Sequence, residues 1–369
     1  MKRKKNILLL NSTLFIGGAE SVIAALCKNL DRTRFNVIIG LLKEQGTVAE
    51  KLKADGYDVV LIRKPGNDTV NYLSFLELRA FIRSRQIDLV HTHDLHSLID
   101  GSICRLVNPS FKLVHTFHFG NYPFRKKRYL LLERVFWRIP DRLVAVGNVQ
   151  KHSLMRTFGI PDHRIRTVWN GVGTATRTDP TADYRKYASN DTLVIGSIST
   201  LIEQKGLTHL LDSVAELKKR HSKFVVLIAG EGHLRAELEK KSELLGLTRN
   251  VHFLGWVKDA ASSLIPAIDI FVQSSLWEGM SMVVLEAMAQ GKPVVATTVG
   301  ENPYVIDNGT TGFLTEPADV SGMADSLGRL LSDQELRGRF GKAGKEKWSQ
   351  KFGADAMTTG YSGIYNELL

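Results

Sequence analysis

Strand–helix alternation predicts an α/β fold of two doubly wound domains, each a parallel sheet covered by helices on both faces. The chain has 369 residues, more than one average domain, and its 43% hydrophobic and 24% charged residues are ordinary for a globular protein. Short apolar runs alternate with longer segments of 3.6-residue apolar spacing, as in parallel sheets. This composition excludes disordered, collagen-like and low-complexity classes.

The elements of the first half begin with a buried strand after a basic start. Seven short runs that are β-branched or Leu-rich are predicted as strands: residues 6–10, 35–42, 59–62, 88–93, 112–116, 142–146 and 166–169. The segments with helical spacing between them include residues 21–30, 75–85 and 129–137. Asn170 and Gly171 then form a turn signal that ends the first half.

A second set of elements follows a linker. Residues 173–190 are rich in Thr, Asp and Ala without periodicity, which is typical of a linker. The strands predicted after it are residues 192–197, 224–229, 251–254, 270–273 and 294–297, and residues 334–369 form a helical tail. We therefore predict a first domain of residues 1–172 and a second domain of residues 191–352.

Positive charge is concentrated in the first half. Residues 1–172 contain 28 Lys and Arg against 14 Asp and Glu, whereas the remainder contains 21 against 24. The first half should therefore face an anionic partner, such as a membrane surface, an acidic glycan or a nucleic acid. No basic–aromatic run, zinc finger or helix-turn-helix motif supports nucleic acid, so we expect no nucleic-acid partner.

Cysteine content and hydropathy indicate a cytoplasmic protein. The two cysteines, Cys27 and Cys104, form neither a disulfide framework nor a cysteine metal site, which fits a reducing compartment. The apolar run after the basic start ends at Asn11, and no run approaches the roughly 20 apolar residues of a spanning helix. We therefore expect no transmembrane or export segment.

Paired glycines follow the first predicted strand and open a helix. Gly17 and Gly18 allow backbone amides to approach a phosphate or a sugar closely. The segment matches neither a dinucleotide-binding fingerprint nor a phosphate-binding Walker loop. An ordinary strand–helix turn therefore remains an alternative at this position.

Two glutamates lie just before and within the helix that follows the fourth predicted strand of the second domain. Glu278 precedes a helix that begins at about Ser281, and Glu286 lies about 12 Å further along its axis. Glycosidase carboxylates lie only about 5–10 Å apart, so this pair suits two contacts on an extended ligand instead. The amides of Gly279 to Ser281 lie between them for an anionic group. Alternatively, Glu278 caps the helix electrostatically and Glu286 is solvated.

Three histidines near the end of one strand raise the question of a metal site. His91 and His93 share a strand face, and His96 follows them. No nearby cysteine or second cluster completes a ligand set. We therefore expect sheet-end packing or acceptor contact from these side chains and no metal.

The Glu278-to-Glu286 spacing resembles the Glu-x7-Glu element of glycosyltransferase family 4. Members of that family are retaining transferases of GT-B architecture, in which two Rossmann-like doubly wound parallel-sheet domains face a central cleft. The resemblance also places a tail helix of about residues 353–369 in the first domain. Further matches, in family order almost from end to end, are Gly17-Gly18-Ala19-Glu20, His118, Asn170-Gly171-Val172, Lys205-Gly206, Ala229-Gly230-Glu231-Gly232 and Phe253-Leu254-Gly255-Trp256-Val257.

The resemblance implies a role for each matching residue. Glu286 would hold the ribose hydroxyls of a nucleotide, and Lys205 would neutralise its diphosphate. His118 and Glu278 would be the catalytic residues that contact the donor sugar. The remaining donor-binding positions are Gly17, Gly18, Gly230, Gly279, Met280 and Ser281, with Trp256 and Val257 lining the base pocket.

Three positions depart from the family pattern. Thr200 stands where members usually carry an arginine that is the second diphosphate cation, so Lys205 acts alone or another basic residue compensates. Gly173 replaces the usual aspartate after Asn-Gly-Val. Residues 300–304 replace the frequent Gly-Gly-x-x-Glu, which alters the expected sugar contacts.

The resemblance predicts a retaining, metal-independent glycosyltransferase that needs no cofactor. It would move a hexosyl unit from a nucleotide-diphosphate sugar, with UDP favoured, to a glycan or lipid-linked acceptor in bacterial surface polysaccharide or lipopolysaccharide synthesis. The chain contains no Asp-x-Asp, the element of metal-dependent glycosyltransferases. Three alternatives are a sugar-nucleotide epimerase or a phosphorylase on the same plan, and a non-catalytic sugar-nucleotide-binding homologue.

A basic segment precedes an amphipathic helix in the first half. Arg125, Lys126, Lys127 and Arg128 stand before a Leu-rich run, a form that suits an anionic membrane. We therefore expect an acceptor or membrane surface here and a peripheral location on the inner face of the cell membrane. The alternative is a core-packed helix with a solvated basic first turn.

Overall fold

The computed structural model describes residues 3–15, 17–62, 73–120, 125–174, 183–189 and 191–369. The chain divides into two compact units, one of Met1–Gly171 with Ala354–Leu369 and one of Val172–Gly353. Half of the predicted linker, residues 175–182 and 190, lies outside the described residues.

The first unit is built on a seven-stranded parallel sheet. Its strands are β1 (Lys5–Asn11), β2 (Phe35–Leu41), β3 (Asp58–Leu61), β4 (Leu89–Thr92), β5 (Lys112–Phe117), β6 (Arg142–Ala145) and β7 (Ile165–Thr167). They are ordered β3-β2-β1-β4-β5-β6-β7. The helices of this unit are α1 (Gly18–Asn29), α2 (Thr47–Ala54), α3 (Ser74–Ser84), α4 (Leu95–Val107), α5 (Lys127–Phe136) and α6 (Asn148–Phe158).

The second unit repeats this plan with six parallel strands. These are β8 (Leu193–Ile198), β9 (Phe224–Ala229), β10 (Val251–Gly255), β11 (Ile270–Gln273), β12 (Val294–Thr297) and β13 (Gly312–Thr315), ordered β10-β9-β8-β11-β12-β13. The helices that follow in chain order are α7 (Leu207–Lys218), α8 (Arg235–Leu244), α9 (Ala260–Ser263), α10 (Met282–Ala289), α11 (Asn302–Val305), α12 (Val320–Ser332), α13 (Gln334–Lys351) and α14 (Ala354–Leu368). The last of these belongs to the first unit.

Two strands differ from the sequence prediction by more than one residue at an end. The strand predicted at residues 166–169 is Ile165–Thr167, and strand β13 was not predicted. Only four residues long, β13 lies among glycines and threonines whose turn signal hides it. It becomes a strand because it pairs along β12 at the edge of the sheet.

Burial on both faces explains the uniformly apolar strands. In β1, Ile7 and Leu9 pack into a core with α1 and α14, whereas Leu8 and Leu10 pack on the opposite face with α3. Tyr361 of α14 lies wholly inside the first of these cores. Since every strand of a sheet runs the same way, the loops after the strands gather at one edge, where ligands bind in doubly wound folds.

Candidate active site

The loops at the carboxyl edge of the second sheet are tied together by hydrogen bonds. The Ser274 hydroxyl, after β11, donates to the carbonyl of Lys205, after β8, at 2.9 Å. The amide of Glu301, after β12, donates to the carbonyl of Gly279 at 2.9 Å. The loop that carries Lys205 is thus held to the loop after β11, and the segment that carries Gly279 is held to the loop after β12.

Two glycines allow these loops to approach closely. Gly230 has φ +138°, and a Cβ there would lie 1.9 Å from the carbonyl oxygen of Ser199. Gly206 has φ +60°, and its Cβ would lie 2.1 Å from the carbonyl oxygen of Ser274. Both positions combine left-handed backbone with contact against main chain, so only glycine fits. The glycines of the family motifs therefore shape the loop beside Lys205.

Lys205 and Glu278 form an ion pair. The Lys205 Nζ lies 2.6 Å from Glu278 Oε1, and the two side chains are only 20% and 9% exposed. The hydroxyl of Ser275 donates to the same carboxylate oxygen at 2.7 Å. An ammonium carries three N–H donors, so this pair leaves Lys205 further donors for an anion.

A chain of buried side-chain amides fixes the start of α10. Ser281 is the N-cap, and its hydroxyl oxygen accepts from the amide of Val284. Gln273 donates to that hydroxyl at 2.6 Å, and Asn302 donates to the Gln273 carbonyl oxygen at 2.9 Å. Gln273 and Asn302 are not predicted from the sequence, because a lone polar residue at the end of a strand or after it resembles ordinary packing. Their network orients the positive end of the helix.

Glu286 has an unusual carboxylate within α10. The side chain is partly buried, yet its oxygens make no hydrogen bond or ion pair with any residue that the structure describes. Burial raises its pKa to about 7. Carboxylates that lose water normally gain protein donors, so Glu286 is not an ordinary solvated glutamate and its acceptors are available to a ligand.

The other predicted donor positions are divided between the carboxyl edges of the two sheets. Trp256 is 62% exposed immediately after β10, and Val257 beside it is half-buried. Thr200, where the resemblance expects an arginine, is exposed after β8. Gly17 is the N-cap of α1 and Gly18 its first residue, so both lie at the carboxyl edge of the first sheet, after β1.

His118 lies immediately after β5 in the first unit. Its Nε2 is 3.0 Å from Nδ1 of His93, and the two rings are stacked with centroids 5.3 Å apart. Burial lowers the pKa of His118 to about 4, although the nearby Asp94 carboxylate opposes the shift. At neutral pH the ring is therefore uncharged, and it is able to form hydrogen bonds but carries no positive charge.

Sheet packing accounts for His91. Its Nδ1 is 2.6 Å from the hydroxyl of Tyr365, and its Nε2 is 2.7 Å from the hydroxyl of Thr116. His96 lies instead 3.8 Å from Asp100. Within the described ranges, no three His, Cys, Asp or Glu side chains are arranged to hold a metal ion. No sequence pattern indicates the contact with Tyr365, which lies 274 residues from His91.

The predicted basic segment is divided between two environments. Arg125 forms an ion pair with the buried Glu133 and lies over the ring of Phe119. In contrast, the next three basic residues are exposed at the start of α5: Lys126, Lys127 and Arg128. No helix in the described part of the chain is long and apolar enough to cross a membrane.

Two family models match the chain, one over each half. The model of Glycosyltransferase Family 4 matches residues 16–176, and that of Glycosyl transferases group 1 matches residues 181–347. The chain belongs to glycosyltransferase family 4. This glycosyltransferase is therefore an enzyme of the transferase class.

Similar proteins include enzymes of cell-surface glycan synthesis. The lipopolysaccharide core biosynthesis glycosyltransferase of Rhizobium meliloti is 32% identical over 171 residues, which is 46% of this chain and 49% of that protein. The UDP-Gal:alpha-D-GlcNAc-diphosphoundecaprenol alpha-1,3-galactosyltransferase of Escherichia coli is 25% identical over 286 residues, which is 71% of each chain. This glycosyltransferase spans about half of the first relative and over two thirds of the second.

A solved structure confirms the GT-B fold class. Anabaena HepE in complex with UDP has a TM-score of 0.84 at 21% identity, covering 98% of this glycosyltransferase and all of HepE. The two parallel-sheet α/β units predicted from the sequence are therefore correct.

Proposed function

We propose that this glycosyltransferase moves a hexosyl unit from a UDP-sugar to a glycan or lipid-linked acceptor. The transfer retains the configuration at the anomeric carbon and needs no metal. It belongs to bacterial surface polysaccharide or lipopolysaccharide synthesis. The observation that supports a donor site here is the partly buried carboxylate of Glu286, which has no partner among the described residues. Such a group binds strongly to paired hydroxyl donors, as a ribose presents.

The Lys205–Glu278 pair supports the position of the diphosphate and sugar. Lys205 is held in place by Glu278 and supplies positive charge, and the first turn of α10 adds the positive end of a helix. Both stabilise the negative charge that develops on a departing nucleoside diphosphate. Glu278 and the Gly279–Ser281 backbone then contact the sugar.

Two likenesses favour UDP and a lipid-linked acceptor. HepE has been crystallised with UDP and with UDP-glucose. The name of the Escherichia coli relative specifies UDP-galactose and a diphosphoundecaprenol acceptor. On this basis we assign a UDP-sugar as the donor, with Trp256 and Val257 beside the uracil.

In the proposed reaction, the bond between the sugar anomeric carbon and the diphosphate oxygen breaks. The acceptor hydroxyl attacks that carbon on the face from which UDP departs, and its proton passes to the departing phosphate. His118, which is neutral at pH 7, donates or accepts a hydrogen bond at the sugar and orients it. The groups that stabilise charge in this scheme all belong to the chain.

Thermal shift against UDP, GDP and ADP, each with and without EDTA, tests the donor site. A ligand at a hundredfold excess over its Kd stabilises the native state by about 2.7 kcal/mol. We expect UDP to raise the midpoint with no effect of EDTA, and Glu286→Ala to abolish the shift. Glu237→Ala, which alters an exposed glutamate of α8, is the matched control and should keep it. No shift with any nucleotide would contradict the proposal.

We also propose that α5 places the enzyme on an anionic membrane. Leu131 and Val135 are 64% and 55% exposed, close to the exposed Lys127 and Arg128. This combination of exposed apolar and basic residues on a helix is typical of interfacial binding. We expect cosedimentation with anionic vesicles at low salt, and loss of it in Leu131→Glu. Failure of the wild-type chain to bind such vesicles would refute this location.

A further inference from the structure

His93 is a buried residue whose position indicates a function beyond packing. It follows β4, is 2% exposed, and its ring lies 4.0 Å from that of His91 by centroid distance. Its main-chain amide donates to the carbonyl of Leu10 at 3.1 Å and contacts the hydroxyl of Ser97 at 3.3 Å. The ring is therefore fixed by its backbone and by stacking, and it presents Nδ1 to His118.

The two ring nitrogens of His118 are in different situations. Nε2 is engaged by His93. Nδ1 forms no hydrogen bond with a described residue and is not one of the buried, unpartnered nitrogens. A ligand therefore meets His118 at Nδ1, and its chemistry there depends on which nitrogen holds the proton.

The protons of His93 and His118 are coupled. Two neutral imidazoles share one proton in their hydrogen bond, so either His93 donates to His118 or the reverse. Nε2 of His93 is buried and has no partner among the described residues. If His118 donated, that Nε2 would carry a buried N–H without an acceptor, which is the rarer kind of unsatisfied group in proteins. The geometry therefore favours donation by His93.

We propose that His93 is a positioning residue: its Nδ1–H donates to Nε2 of His118 and holds His118 as the tautomer that carries its proton on Nδ1. His118 then offers an N–H donor to the oxygen of a bound sugar. The inference rests on the proposed function for the role of His118, but the tautomer itself is a property of the free protein. Neither His91 nor His115 fills this role, since their polar contacts are with hydroxyls.

NMR of the full chain labelled with ¹⁵N-histidine tests the tautomer directly. We expect the His118 signals, assigned by comparison with His118→Gln, to show a proton on Nδ1 and a bare Nε2 in the wild-type protein. A proton on Nε2, or an averaged mixture of the two tautomers, would overturn the proposal. This result does not depend on any substrate, so it stands apart from the fate of the proposed function.

Variants then test the consequence for turnover. His93→Leu removes the donor and should allow His118 to exchange between tautomers, with kcat reduced by about 10- to 100-fold, because misplaced catalytic groups carry penalties of that size. The Kd for UDP should stay unchanged. In His93→Asn, the amide can donate near the former Nδ1 position, so we expect partial recovery of both the tautomer and kcat.

His115→Leu is the matched control. His115 is another buried histidine of β5, and its Nδ1 lies 2.9 Å from the hydroxyl of Thr92 and not against His118. We expect it to lose stability while keeping the wild-type His118 tautomer and kcat. An unchanged tautomer and kcat in folded His93→Leu would refute positioning. A wild-type rate in His118→Gln would instead refute the catalytic role of His118 and leave the tautomer result intact.

Discussion

The carboxyl edges of the two sheets carry opposite kinds of chemistry although their strands follow equivalent orders. In the first unit, the edge holds neutral imidazoles, with His91 and His93 almost wholly buried and His93 stacked on His118. In the second unit, it holds the Lys205–Glu278 ion pair and the unpartnered carboxylate of Glu286. The order of the strands therefore determines where a ligand site lies, and the few residues after each strand determine what that site binds.

Burial favours the uncharged form at both edges, although it shifts the pKa values in opposite directions. It lowers the pKa of the histidines, which keeps them neutral at pH 7, and it raises the pKa of Glu286 towards neutrality. The first edge is thus suited to directional hydrogen bonds, whereas the second combines a cation with an acceptor that still ionises near pH 7. A variant that alters one edge can therefore be compared with the unaltered edge of the same protein.

The largest effect is expected at Lys205. Lys205→Ala removes positive charge from the proposed diphosphate site and should lower kcat/KM by about 100-fold or more, the usual cost of losing one charge-stabilising donor. Lys205→Arg keeps the charge but not the shape of the ammonium, so it should recover part of the activity. Steady-state kinetics with a UDP-sugar measures both. Wild-type kcat/KM in folded Lys205→Ala would show that the second edge does not stabilise the leaving group.

Acid should destabilise the first unit. The folded-state pKa of His115 is about 3 and that of His118 about 4, both below the ordinary 6.5. The unfolded chain therefore takes up protons first, and stability is lost as the pH falls from 6.5 towards 4. For His118 the loss at pH 5 is about 2 kcal/mol.

Segment-resolved hydrogen exchange at pH 7.5 and pH 5, corrected for intrinsic rates, compares the two units in one experiment. Protection of β4 and β5 should fall on acidification more than protection of β11 and β12. In the second unit, the raised pKa of Glu286 acts in the opposite sense, since its protonation below pH 7 relieves a buried charge. Equal loss in both sheets would contradict this assignment.

Twelve of the thirteen strands in the described part of the chain, β13 being the exception, and the donor motifs could be predicted from the sequence because both depend on local signals. The Glu278 and Glu286 spacing, with Ser281 as N-cap, is contained in one helix and the loop before it. The His93–His118 contact joins residues 25 apart, and the bond of His91 to Tyr365 joins residues 274 apart. Hydrophobic periodicity describes one helix or strand at a time, so it does not predict contacts between residues so far apart in the sequence.

The Lys205–Glu278 ion pair shows the same limit. The family resemblance implies a separate ligand for each residue, a diphosphate for Lys205 and a sugar for Glu278. Their contact requires the loops after β8 and β11 to meet, which follows from the adjacency of these strands in the sheet and from the hydrogen bond of Ser274 to the Lys205 carbonyl. A function assigned to a motif residue therefore does not reveal its partner in the free protein.

Donor affinity should depend on the ionisation of Glu286. Its carboxylate accepts hydrogen bonds from hydroxyls, whereas its protonated form loses an acceptor, and its pKa is about 7. The association constant for UDP should therefore decrease below pH 7 and approach a tenfold loss per pH unit. Isothermal titration calorimetry from pH 5.5 to 8 measures this. Glu286→Gln should bind more weakly and with a flat pH dependence; a slope equal to the wild-type slope would exclude Glu286 as its source.

The smallest effect is expected where the tail helix supports the histidine stack. Tyr365→Phe removes the hydroxyl 2.6 Å from Nδ1 of His91 and keeps the ring, so a fully buried nitrogen loses its partner. We expect a loss of about 1 kcal/mol in the free energy of unfolding. Tyr361→Phe is the matched control, because its hydroxyl is 3.2 Å from Thr116, which retains its bond to His91.

Two measurements compare these tyrosine variants: urea unfolding of the whole protein, and hydrogen exchange in α14 and β4. A larger loss for Tyr365→Phe than for Tyr361→Phe would show that the short bond to His91 contributes more than the longer contact of Tyr361 with Thr116. UDP affinity should be unchanged in both variants, since neither touches the second edge. Equal losses would contradict a special contribution from the bond to His91, and the order of the histidine rings would then depend on packing.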